Sequence, residues 1–70
     1  MARFVQAFEV RDGAWRVALR WNREDPFELL EATVARERAE EAERNGDTKL
    51  AHELRVAADE ADRQTEATTR

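Results

Sequence analysis

FVQAFEVRDGAWRVALRW, residues 4–21, decides the fold. Phe4, Gln6, Phe8 and Val10 alternate with polar or small residues, and so do Trp15, Val17, Leu19 and Trp21. Alternation at period two is the mark of a half-buried strand. Between the two runs stands Asp12-Gly13, a dipeptide favoured at the centre of a type I′ hairpin turn. Such a turn sets Arg11 opposite Ala14, Val10 opposite Trp15, Glu9 opposite Arg16, Phe8 opposite Val17 and Phe4 opposite Trp21. In that register every large apolar residue of the hairpin except Val5 shares one face. Glu9 and Arg16 then meet as an opposite-charge pair.

The expected opposite face carries Arg3, Arg11, Arg16 and Arg20 with a single carboxylate, Glu9. Two-stranded ribbons of that kind can meet phosphates or a DNA groove. These four arginines are the candidate partner or nucleic-acid face. Phe4, Phe8, Trp15 and Trp21 are the expected core and self-association residues. Val56, further along the chain, joins them as an apolar residue on the outer side of its helix.

Downstream, Asp25-Pro26-Phe27-Glu28 has the form of a helix start: an acidic cap, proline at the first position and glutamate at the third. A helix over 26–44 follows, with Phe27, Leu30, Val34, Ala35, Ala39 and Ala42 as its buried stripe. Asn45-Gly46 ends it, and Asp47 caps a second helix over 48–63, where Leu50, Leu54, Ala57 and Ala61 recur at helical spacing. The short connection makes the two helices antiparallel. Residues 67–70 have lost the stripe and are expected to fray. The fold class is therefore α+β: an N-terminal antiparallel β-hairpin, then an antiparallel two-helix hairpin (ββαα), in a single domain over 1–66.

The apolar inventory is thin. Of 70 residues, 13 are alanine and only 15 are large apolar side chains. Each stabilises by roughly 1.5–3 kcal/mol when fully buried, which barely offsets the ordering entropy of a chain this short. Cysteine is absent, so no disulfide can help. Self-association into a homodimer is the expected remedy.

Charge divides the chain. Residues 1–23 carry a net +3 and residues 24–70 a net −7, for −4 in total. The acidic helices offer an alternative surface for a basic partner. However, arginines at i,i+3 or i,i+4 offset much of that charge, as Arg36 and Arg44 do for Glu40.

Chemistry is scarcely represented. Serine, tyrosine and cysteine are missing, His52 is the only imidazole, and Lys49 is the only lysine. Neither sits beside a residue that would activate it, so catalysis is not expected. The positions three and four residues from His52 hold Thr48, Lys49, Arg55 and Val56, none a useful metal ligand beside a histidine. Both glycines are spoken for by a turn and a helix end, so no phosphate loop exists. The expectation is no catalytic residue, cofactor or metal. No stretch reads as a signal peptide or membrane span, which makes a soluble cytoplasmic protein the expectation. The expected function is a small non-catalytic interaction module, such as a regulator, adaptor or inhibitor, with nucleic-acid binding as the alternative.

Overall fold

A computed structural model describes residues 3–68, with side chains through residue 67. The order is β1 (Phe4–Arg11), β2 (Ala14–Arg20), β3 (Glu28–Leu30), α1 (Ala32–Arg44) and α2 (Thr48–Thr68). The strands form one antiparallel sheet in the order β1-β2-β3. The fold is α+β, with a hairpin ahead of two helices as expected. A third strand adds to it.

The hairpin register differs from the expected one. Arg11 does stand opposite Ala14, but Glu9 then faces Trp15, Phe8 faces Arg16, Ala7 faces Val17, Val5 faces Leu19 and Phe4 faces Arg20. A bulge between Glu9 and Arg11 absorbs the extra residue, Val10. The physical cause lies in the turn. A type I′ turn needs positive φ at both central residues. Here Gly13 has φ 79° and no non-glycine described residue has positive φ, Asp12 included. Turns other than the primed types splay the flanking strands, and a bulge restores twist. Glu9 assists by accepting the Gly13 N–H at 3.1 Å.

One slipped residue reverses the faces of β1. Val5, Ala7 and Trp15 now pack against the core, beside Val17, Leu19 and Leu30. Phe4, Gln6 and Phe8 share the other face with Arg16, Ala18 and Arg20. Phe8 is therefore exposed, contrary to its expected place in the core.

The second correction concerns residues 26–30. They do not open a helix. Asp25 closes a turn by donating its N–H to the Asn22 carbonyl at 3.1 Å, and its carboxylate accepts from the Asn22 amide at 3.2 Å. Glu28–Leu30 then pair with Val17–Leu19. Cross-strand pairing and burial of Leu30 outweigh the local helix-start signal, because propensity yields to tertiary contact. α1 starts only after Glu31, whose side chain makes no capping hydrogen bond.

The helix junction follows expectation closely. Gly46 has φ 86°, its N–H donates to the Glu43 carbonyl at 3.0 Å, and the Asp47 N–H donates to the Ala42 carbonyl at 2.8 Å. This pair of bonds is the Schellman ending. Asp47 then caps α2 by accepting the Leu50 N–H at 3.1 Å. α2 runs five residues past the expected end at 63, so residues 67 and 68 of the expected tail are helical, while 69–70 lie outside the described residues.

The core joins Val17, Leu19 and Leu30 of the sheet to Ala35, Ala39 and Ala42 of α1 and to Leu50, Ala51, Leu54, Ala57, Ala58 and Ala61 of α2. α2 lies across β1 and β2, while α1 packs chiefly on α2. Ion pairs bind the elements together: Arg36 to Asp59 at 2.7 Å and Asp62 at 2.9 Å, Arg55 to Glu43 at 3.2 Å, and Arg38 to Glu28 at 2.7 Å. Arg36 thus reaches across to α2, beyond the carboxylates of its own helix. The backbone spans 38 × 26 × 14 Å, a slab in which helices cover only one face of the sheet.

Candidate functional site

Two surfaces stand out among the described residues. The first is the outer sheet face, where Arg16, Ala18 and Arg20 of β2 lie between Phe4, Gln6 and Phe8 of β1 and Leu29 of β3. Phe8 and Leu29 are each about half exposed, at 54% and 51%. Phe27, which leads into β3, meets Phe4 edge to face with ring centroids 5.3 Å apart. The Arg20 guanidinium sits over the Phe27 ring, 4.4 Å from its centroid. The result is an aromatic and cationic face with no carboxylate among the outward residues of the three strands.

Three of the four expected arginines keep that side of the sheet: Arg16 and Arg20 along β2, and Arg11 beyond the bulge. Arg3 turns to the helices, where its guanidinium reaches Glu53 at 3.1 Å and Asp47 at 3.6 Å. Arg11 stands exposed at the hairpin end, opposite Ala14. The bulge accounts for the split, since it changes which residues of β1 share the face of Arg16.

The second surface is a groove of about 520 Å³ between the free edge of β1 and α2. Val5, Gln6, Ala7 and Trp15 line it from the sheet, and His52, Glu53, Val56, Ala57 and Glu60 line it from α2. Val56 is 52% exposed, and the Trp15 indole N–H is buried without a hydrogen-bond partner among the described residues. A buried donor left unpaired costs about 1–3 kcal/mol. The Gln64 amide and the Arg63 guanidinium hold the Glu60 carboxyl below the usual carboxylate range.

The expected core and self-association residues therefore separate. Trp15 and Val56 meet at the groove, and Phe4 and Phe8 lie on the outer sheet face. Trp21 is exposed and lines a smaller cavity of about 220 Å³ beside Leu19, Arg38 and Leu50. No family model, curated protein or solved structure matches the chain.

Sequence reasoning missed Phe27, Leu29 and Gln6 as surface residues. A signal for the first two exists: Phe27 and Leu29 flank Glu28 with the period-two alternation of a strand. Gln6 carried no signal apart from the register. Among the described residues no three His, Asp or Glu side chains come together as a metal site would require, and no helix is long and apolar enough to cross a membrane.

Proposed function

We propose that this chain is a non-catalytic protein-interaction module that self-associates, acting as a regulator, adaptor or inhibitor in the cytoplasm. One-sided coverage of the sheet carries the reading. Helices bury one face, while Phe8, Phe27 and Leu29 stay exposed on the other and Val56 stays exposed beside the groove. Large apolar side chains left exposed on two surfaces of so small a chain favour an interface. Among the described residues only Val17, Leu19, Leu30, Leu50 and Leu54 of the large apolar residues are buried, which leaves a single copy short of core. Sedimentation equilibrium across a range of concentrations tests the reading. A dimer mass is expected, and an 8.1 kDa species throughout overturns it.

A second reading rests on Arg16 and Arg20. They share the outer face with Phe4 and Phe8, and aromatic platforms flanked by cations bind single-stranded nucleic acid by stacking and phosphate contact. The net charge of −4 opposes it over distance, although the acidic helices lie on the far side of the sheet. Fluorescence anisotropy with labelled single- and double-stranded oligonucleotides discriminates the two. Salt-sensitive binding abolished by Arg16→Glu with Arg20→Glu favours nucleic acid, and no binding at low salt removes it.

A further inference from the structure

We propose that two copies of this chain pair antiparallel along the free edge of β1, about a two-fold axis at Gln6, forming a six-stranded sheet whose two α2 helices meet over Val56. The inference rests on the self-association reading and specifies its interface.

The edge itself comes first. β1 pairs with β2 on one side only, so its outer side presents unpaired backbone donors and acceptors. Sheet edges are usually guarded by proline, lysine, an early bulge or a short strand. From Phe4 to Phe8 this strand has none of these and no charge, while Glu9 and the bulge at Val10 come only after it.

Side-chain chemistry then selects the register. Opposed residues in an antiparallel pair point to the same face, so β1 can pair with its own copy only about a residue centre. Centring on Ala7 sets Arg3 against the partner's Arg11 and Phe4 against the partner's Val10, inside the bulge. Centring on Val5 carries Phe8 and Glu9 past the start of the partner's strand. Centring on Gln6 sets Phe4 against the partner's Phe8 and Val5 against the partner's Ala7, each twice over, while the Arg3 guanidinium stays with Glu53 and Asp47 of its own chain. Only this register pairs aromatic with aromatic and apolar with apolar.

The groove provides an independent third point. Its sheet-side residues Val5, Gln6 and Ala7 are centred on Gln6, and its residues from α2 are centred on Val56. A two-fold axis through Gln6 and normal to the sheet therefore passes close to Val56. That axis runs the helices antiparallel, with Val56 against the partner's Val56 and His52 opposite the partner's Glu60. The exposed valine and the open side of the groove are both covered by the same operation. An isologous contact of this kind closes on itself and leaves no further edge of β1.

The absence of native cysteine makes the test direct. Gln6→Cys, Phe8→Cys and Leu29→Cys each place a single thiol at an exposed site on the same face of the sheet. At Gln6 the two thiols sit within disulfide reach across the axis, whereas at Phe8 and Leu29 they lie too far apart. With oxidised glutathione, Gln6→Cys is expected to cross-link at least about tenfold faster than either other variant. In parallel, sedimentation of Val56→Arg, an exposed position that leaves the fold intact, is expected to show the dimer weakened at least about tenfold by apposed charges. A wild-type dimer whose Leu29→Cys or Phe8→Cys variant cross-links as fast, or whose Val56→Arg variant dimerises unchanged, overturns this interface and leaves self-association standing. A wild-type monomer with slow cross-linking at all three sites overturns both.

Discussion

Val5 stands opposite Leu19 in the β1–β2 ladder and faces the helices with it. The pairing makes Val5 part of the core and turns Phe8 outward. Leu19→Ala is therefore expected to cost about 2–5 kcal/mol, since Leu19 is only 1% exposed. Phe8→Ala should cost less than about 1 kcal/mol, as a half-exposed side chain loses little burial. Urea unfolding of the two variants checks the order, and the reverse order contradicts the observed register.

Gly46 occupies the left-handed region at φ 86°, and a methyl group there would meet nothing within 4 Å. Backbone strain alone should set the effect of Gly46→Ala, about 1–2 kcal/mol of destabilisation. Asp47→Ala, which removes the acceptor of the Leu50 N–H, should cost about 1 kcal/mol. Thermal melts followed by circular dichroism would read both, with the helical baseline preserved below the transition.

Phe27 ties the start of β3 to the outer sheet face through Phe4 and Arg20. Phe27→Leu keeps apolar bulk and removes the ring interactions. A loss of about 1 kcal/mol is expected. A double-mutant cycle with Arg20→Met isolates the cation's share.

Acid should weaken the fold. The Arg55 guanidinium holds the Glu43 carboxyl below the usual carboxylate range, and Gln64 with Arg63 does the same for Glu60. A carboxyl lowered in the folded state contributes stability above its unfolded range, and that contribution fades as pH falls through the folded value. Stability should therefore decline from the ordinary carboxylate range downward. Both groups are exposed, so the effect should be small and should shrink further in high salt. Glu43→Gln with Glu60→Gln should flatten the acid limb of a pH series of urea midpoints. Arg36 and Arg55 are raised from an already high value by their aspartate and glutamate partners, so they add no slope near neutrality.

Much of this architecture was legible from local chemistry. Asn45-Gly46-Asp47 specified a helix end and a new cap, and the bonds at Glu43, Ala42 and Leu50 match it. Alanine spacing marked the seam between α1 and α2. Two features escaped because competing local signals pointed elsewhere. Asp12-Gly13 suits several turns, and only the φ of Asp12 distinguishes them. Asp25-Pro26-Phe27-Glu28 reads as a helix start until β2 offers Val17–Leu19 as a pairing partner. The departure of Arg3 from the other three arginines followed from the first of these ambiguities, because only residues upstream of the bulge change face.

Val10 acts on β1 much as an inserted nucleotide acts on a reading frame. Every residue upstream keeps its identity and changes its meaning. With the bulge, valine and alanine meet the helices while phenylalanine joins arginine outside. Deleting Val10 would return Phe4 and Phe8 to the side of α2, in place of Val5 and Ala7. The molecular character of both faces thus hangs on a single residue that itself pairs with nothing, so variation at this position is the change most able to give the same fold a different surface.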